Sequence, residues 1–262
     1  MEKKILYLLT CVGLCWSSCT NEVDEFIGNV EPSTRSVSTA LNANLASLFT
    51  GGAPTLTSAE IKEVNDAYAK MTSINCYRNI DEAVRNKTSY AGTIFLDDTY
   101  ASAYFRKGSL AFPPYGILAS SMEHEFIHMY QRDVQGKKVD TDKEKRDTGM
   151  MEFELAFYQG IIRYIHAGYS WTFKGEDGDP SYQSLWTSGL TDPSLIPQYE
   201  REFQTYVASI CANGKPTSID INEFVKWSNI FGEYSRGYSG KGYKFGDYDY
   251  GTSCMNSLLK LY

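Results

Sequence analysis

Two of the three histidines in this 262-residue chain lie four residues apart, in the segment His-Glu-Phe-Ile-His at 124–128. Residues i and i+4 share one face of an α-helix, so the imidazoles of His124 and His128 can bind a single metal ion. Glu125 follows the first histidine directly, and its carboxylate would lie beside the metal, where it can take a proton from water. This spacing predicts a Zn²⁺ site with hydrolytic chemistry.

The motif resembles the HExxH helix of the zincin metallopeptidases, and in particular the gluzincins, whose third zinc ligand is a glutamate on a later helix. A metzincin would need a third histidine shortly after the motif, whereas residues 129–134 read Met-Tyr-Gln-Arg-Asp-Val. The segment Met-Glu-Phe-Glu-Leu-Ala at 151–156 resembles the Glu-x-Glu-Ala signature of several HExxH peptidase families, in which the first glutamate binds zinc. The resemblance implies that Glu152 is the third metal ligand.

Glu152 and Glu154 are the two carboxylates of that segment. Two residues correspond to about 200° of rotation around an α-helix, so only one of the two side chains can face the metal. Helical geometry alone permits either residue, and the resemblance favours Glu152. Glu154 stays open as the alternative ligand.

The resemblance implies a zinc-dependent metallopeptidase that acts on a peptide or protein substrate. Three protein ligands leave one open position at zinc, where water becomes acidic enough to attack a carbonyl. Glu125 would act as the general base and pass the proton to the leaving amine. Zincins usually add a tyrosine or histidine that stabilises the oxyanion, and any of the 20 tyrosines could serve. His166 is predicted to be structural, because it lies about 21 Å beyond Glu152 along the same predicted helix.

Two predicted helices must position these residues. Residues 117–134 have a helical composition and carry the histidine motif, and this helix should end before Gly136. The second helix is predicted from Thr148 to His166, because apolar residues recur there at helical spacing. Gln131 follows the second histidine by three residues and is predicted to lie near the ligand face as a hydrogen-bond donor, with an ordinary surface residue as the alternative.

Short strands are predicted before the motif, at residues 92–96, 101–105 and 109–112. Either of the last two could hold an extended peptide by pairing along its edge. Further helices are predicted from Ser58, as the N-cap, and through residues 196–211. Strands early and helices late indicate an α+β fold. The resemblance implies a zincin-like domain with a small sheet, an HExxH helix and a mostly helical C-terminal part.

Composition and charge limit the possible partners. The chain has 42% hydrophobic and 22% charged residues, which is ordinary for a globular protein. Lysine and arginine total 25 against 32 aspartates and glutamates, for a formal net charge of −7. Because no run of basic residues is long enough to follow a phosphate backbone, nucleic acid is not an expected partner. We also expect a monomer.

The N-terminus has the pattern of an export signal. Lys3 and Lys4 precede an apolar run at 5–14 that is too short to span a membrane, and two serines precede Cys19. Small residues before a cysteine resemble a bacterial lipoprotein signal, in which cleavage frees Cys19 for lipidation. The acidic stretch that follows resembles surface-exposed lipoproteins of the Bacteroidota. A plain secretory signal is the alternative.

These features divide the chain into three parts. We expect residues 1–18 to be a lipoprotein signal peptide, 19–55 a flexible tether and 56–262 the metallopeptidase domain. A lipid on Cys19 would anchor the exported protein to the outer membrane, with exposure at the cell surface as a further expectation.

Three further features of the sequence could bear on stability or ligand binding: the cysteines, an acidic segment and a tyrosine-rich tail. Cys76, Cys211 and Cys254 can form at most one disulfide, and the pair Cys211 and Cys254 is one possibility. The acidic segment 175–180 lacks the ligand spacing of an EF-hand and is predicted to be a turn. The tyrosine-rich tail at 233–251 could stack on sugar rings, although a packed or exposed tail is the simpler interpretation. A non-catalytic lipoprotein that binds glycan or peptide is therefore the alternative function.

Overall fold

The computed structural model describes residues 40–100, 102–137, 144–166, 192–234 and 252–262. Within these ranges the protein has many helices and a small mixed sheet ahead of the histidine motif, so the predicted α+β class is confirmed. The predicted signal peptide, Cys19, the turn at 175–180 and most of the tyrosine-rich tail lie outside the described residues.

The folded part begins earlier than predicted. Helix α1, Ala43–Leu48, precedes α2, Ser58–Ser73, and α3, Asn75–Lys87. Leu45 and Leu48 of α1 are buried in the core. The predicted boundary at residue 55 is therefore too late, because α1 lies inside the segment that was predicted to be a flexible tether. A helix of six residues is too short to show helical periodicity in the sequence, which is why its pattern was not recognisable.

The N-cap of α2 is Thr57, one residue before the predicted Ser58. The Thr57 hydroxyl accepts the backbone N–H of Glu60 at 3.3 Å, and the Glu60 carboxylate accepts the backbone N–H of Thr57 at 2.6 Å. This reciprocal arrangement is a capping box, which satisfies two backbone donors at the start of the helix.

Removal of this cap should destabilise the protein slightly. We expect Thr57→Ala to lower the free energy of unfolding by about 1 kcal/mol, because a helix-terminal N–H loses its acceptor. Thr57→Ser keeps the hydroxyl and is the matched control. Urea unfolding of the two variants would measure the difference, and equal stability would show that the cap contributes nothing.

The sheet contains three strands that overlap the three predicted segments, and β3 has the predicted bounds. They are β1, Ile94–Leu96, β2, Tyr104–Arg106, and β3, Ser109–Phe112. Strand β3 lies in the centre, parallel to β1 and antiparallel to β2. Of the two strands predicted to hold a peptide along an edge, β2 lies at an edge and β3 does not.

The histidine motif lies on α4, Ala119–Met129, which continues directly into a π-helical turn, Tyr130–Val134. In this turn the backbone N–H of Gln135 donates to the carbonyl of Tyr130 at 3.0 Å, a spacing of five residues. Helix α4 packs against α2, α3 and β2. Single π-turns inside helices are uncommon and often occur at functional sites.

Helix α5, Glu144–His166, begins before the predicted Thr148 and lies against α4 and the C-terminal helices. The C-terminal helices are α6, Ile196–Ile210, α7, Ile221–Tyr234, and α8, Ser253–Leu259. A hairpin of two short strands, β4, Cys211–Ala212, and β5, Lys215–Pro216, follows α6. Aromatic rings fill the core between α5, α6 and α7. The ring centroids lie 5.2 Å apart for Phe153 and Phe224, and 5.6 Å apart for Phe203 and Trp227. This packing holds the glutamate-bearing helix in place.

The three cysteines in the described ranges, Cys76, Cys211 and Cys254, are free thiols, so the disulfide considered between Cys211 and Cys254 is not formed. Burial raises the pKa of the Cys76 thiol to about 12, which keeps it in the unreactive protonated form. In the described part of the chain, every helix falls short of the length and apolar character needed to cross a membrane.

Candidate metal centre

The two histidines and Glu152 converge at one point between α4 and α5. The Nε2 atoms of His124 and His128 are 3.2 Å apart. Glu152 Oε1 lies 3.1 Å from His128 Nε2, and Glu152 Oε2 lies 3.6 Å from His124 Nε2. Among the described residues, these three side chains form the group that could hold a metal ion.

The spacing of these atoms fits a zinc site. Zinc in proteins is tetrahedral, with bonds of about 2.0–2.2 Å, which places neighbouring ligand atoms about 3.3–3.6 Å apart. The separation of 3.2 Å between the two Nε2 atoms is close to this range, and the Glu152 carboxylate approaches His128 through Oε1 at 3.1 Å and His124 through Oε2 at 3.6 Å. Two imidazoles and one carboxylate are also a donor set that zinc prefers in catalytic sites, where a fourth position stays open.

Two helices bring the donors together. His124 and His128 lie one turn apart on α4, with ring centroids 4.8 Å apart, and Glu152 reaches them from α5. The side chains of His124, His128 and Glu152 are 12%, 18% and 24% exposed. The cluster is therefore largely buried, and each of its three side chains keeps some exposed surface.

His124 and Glu152 have the charges that metal binding requires, whereas His128, whose pKa is raised, must release a proton to bind a metal. Burial lowers the pKa of His124 to about 4, so its ring is neutral and presents a lone pair. Burial acts to raise the pKa of Glu152, but the charge and hydrogen bond of His128 outweigh it and lower that pKa to about 2. Burial likewise opposes a charge on His128, yet Glu152 raises the pKa of His128 to about 9. Glu152 is thus an ionised carboxylate, as a metal ligand must be.

Glu125 lies beside the cluster, with Oε1 3.9 Å from His124 Nε2 and only 4% of the residue exposed. Burial raises its pKa to about 7, although the charge of His128 opposes this shift. The backbone N–H of Phe105, on the edge strand β2, donates to the Glu125 carboxylate. A carboxylate with a pKa near neutrality is well suited to accept and return a proton.

Gln131 lies behind the cluster in the π-helical turn and is fully buried. Its Oε1 is 2.9 Å from His128 Nδ1, so toward the histidine it presents an acceptor rather than the predicted donor. Its Nε2 is 3.0 Å from the carbonyl oxygen of Met151 and 3.1 Å from Glu154 Oε2. Gln131 therefore links His128 to the backbone and side chains of α5.

Glu154 points away from the metal cluster and forms a buried ion pair with Lys137. Both side chains are fully buried. The structure thus places Glu152, and not Glu154, at the histidines. Lys137 was not predicted, because it lies in a charged, turn-rich segment where nothing in the sequence marks one lysine as buried.

His166 is the last residue of α5, several turns beyond Glu152, in agreement with the predicted helix. The described residues do not identify the tyrosine that would stabilise an oxyanion.

No protein-family model, curated protein sequence or solved structure matches this chain.

Proposed function

We propose that the protein is a zinc-dependent metallopeptidase of the gluzincin kind, exported and held on the outer membrane by a lipid on Cys19. The observation that carries this proposal is the convergence of His124, His128 and Glu152 at zinc-ligand spacing. The buried carboxylate of Glu125 lies next to them, as peptide hydrolysis requires. In this proposal the domain is zincin-like, with α4 as the HExxH helix.

The residues of the chain divide the chemistry between them. His124, His128 and Glu152 would hold the zinc ion, which when bound would acidify a water molecule and polarise a carbonyl as a Lewis acid. Glu125 takes the proton of the attacking water and delivers it to the leaving nitrogen of the peptide bond. The N–H of Phe105 orients the Glu125 carboxylate for both transfers.

Strand β2 supplies the place for the substrate. It is an edge strand, packs on α4 and carries the Phe105 amide that reaches Glu125. An extended peptide that pairs with this edge outside the Phe105 N–H, which stays with Glu125, would lie along the motif helix near the general base. Main-chain pairing of this kind binds many sequences, so a peptide or protein substrate is proposed without a preferred side chain.

Metal analysis tests the central assignment. We expect the purified protein to contain about one zinc per chain, since His₂Glu sites bind a single ion. His128→Ala should lose this zinc, because the variant retains only two of the three ligands. His166→Ala is the matched control and should keep it. Absence of stoichiometric zinc from the wild-type protein, with both motif histidines intact, would overturn the proposal.

A further inference from the structure

We propose that the buried ion pair of Lys137 and Glu154 fixes the tautomer of His128 by orienting the side-chain amide of Gln131. These three residues are positioning residues: they act on the metal through the histidine. The inference rests on the proposed function in so far as His128 is a metal ligand.

The orientation of the Gln131 amide follows from what surrounds it. An amide carries two N–H donors on nitrogen and an acceptor oxygen at its other end. One end of Gln131 lies 3.0 Å from the Met151 carbonyl oxygen and 3.1 Å from Glu154 Oε2, and both of these groups are acceptors. The NH₂ group must face them, because an oxygen there would leave three acceptors against one another. The amide oxygen must then face His128.

This orientation decides which nitrogen of His128 carries the hydrogen. Gln131 Oε1 lies 2.9 Å from His128 Nδ1 and can only accept, so Nδ1 must be the donor. Once His128 gives up the Nε2 hydrogen that it shares with Glu152, Nε2 has the lone pair. That Nε2 is the atom that lies 3.2 Å from His124 Nε2 and 3.1 Å from Glu152. The ring is therefore held in the tautomer that a metal ligand needs.

Lys137 completes this chain of donors and acceptors. Its ammonium, which can only donate, contacts Glu154 Oε2, the same oxygen that faces Gln131. That oxygen therefore receives hydrogens from both neighbours. The backbone N–H of Lys137 also donates to the carbonyl of Gln131 at 3.1 Å, which ties the lysine to the π-helical turn. Lys137, Glu154, Gln131 and His128 thus form one continuous series of hydrogen bonds.

The ion pair has its carboxylate on α5, facing Gln131, and its ammonium on Lys137, and this direction decides how the amide is oriented. A buried ion pair is seldom more stabilising than well-packed apolar residues of the same volume, so stability does not explain its presence. Apolar residues would fill the space but could not orient the amide. With the carboxylate on α5, Gln131 meets a second acceptor beside the Met151 carbonyl, and a lysine at position 154 would place a donor there instead.

A charge exchange tests this direction without removing either charge. In the double variant Lys137→Glu/Glu154→Lys, an ammonium would face Gln131 and draw the amide oxygen toward α5. The NH₂ group would then face His128 and disfavour hydrogen on Nδ1. We expect zinc affinity to fall about 10–100-fold, as is typical when the partner of a metal-bound histidine is disturbed.

The matched control exchanges an exposed pair on α2. Lys62→Glu/Asp66→Lys reverses an i,i+4 ion pair whose side chains are 55% and 57% exposed, and it should bind zinc like the wild type. Competition with a chelator would measure zinc affinity in the full chain. Long-range ¹H–¹⁵N spectra of metal-free protein, recorded at a pH above the raised pKa of His128 so that its imidazole is neutral, would report the His128 tautomer directly. With three histidines in the chain, these spectra are simple to assign.

The outcomes separate the two proposals. Wild-type affinity together with an Nδ1–H tautomer in the exchanged variant would overturn this inference and leave the zinc peptidase intact. A wild-type protein that binds no zinc would overturn the proposed function, while the tautomer spectra would still decide the inference. If the exchanged variant does not fold, Gln131→Leu replaces it, because this variant keeps the ion pair and removes the amide. Unchanged zinc affinity and tautomer in Gln131→Leu would equally overturn the inference.

Discussion

Glu125→Gln should bind zinc as the wild type does and lose peptide hydrolysis by about 10²–10⁴-fold, the usual contribution of a general base. Glutamine has the same shape and can still accept the Phe105 N–H through its oxygen, but it cannot take a proton from water. Because the metal ligands are untouched, the loss should appear in kcat and not in zinc content. Cleavage of a quenched-fluorescent peptide library, with metal analysis of the same samples, would measure both.

Glu123 provides the matched control for this variant. It lies on the same helix two residues earlier and is also largely buried, at 9% exposure. Glu123→Gln should therefore reproduce any general effect of neutralising a buried carboxylate on α4, while hydrolysis stays within a few-fold of the wild type. Hydrolysis that survives in Glu125→Gln would exclude Glu125 as the base. A wild-type protein that binds zinc and cleaves no peptide would support the non-catalytic binding lipoprotein instead.

The parts of the site that could be predicted are those set by local geometry. His124, Glu125 and His128 lie within five residues on one helix, so the 3.6-residue period alone places the two imidazoles together. Glu152 is separated from His128 by 24 residues, and helical geometry could not choose between it and Glu154. The resemblance favoured Glu152, which is the carboxylate that the packing of α4 against α5 brings to the histidines.

The parts that could not be predicted depend on tertiary packing. The sequence shows that Gln131 is near the histidines, but its orientation depends on Met151 and Glu154, which belong to another helix. Lys137 becomes a buried partner only because the chain after the π-helical turn folds back onto α5. The central position of β3 likewise results from a parallel pairing with β1 that no local pattern indicates.

Glu152→Gln and Glu154→Gln make the same chemical change two residues apart on α5 and should have opposite effects. Glu152→Gln should abolish stoichiometric zinc binding, because a neutral amide replaces the carboxylate ligand. Its effect on stability should be smaller than that of Glu154→Gln, since Glu152 is partly exposed and His128 can become neutral when the carboxylate is removed. Glu154→Gln should retain zinc, because the new side chain still offers Gln131 an acceptor oxygen.

The loss in Glu154→Gln should instead be in stability. Lys137 would be left as a fully buried charge without its carboxylate, and breaking a buried pair from one side costs about 3–5 kcal/mol. Lys137→Met/Glu154→Gln removes both charges and should recover most of this loss, which distinguishes an unpaired charge from a simple packing defect. Denaturant unfolding and metal analysis of the three variants would test the pattern. If Glu154→Gln lost its zinc while Glu152→Gln kept it, Glu154 would be the third ligand, and the assignment of the metal centre would have to be reversed.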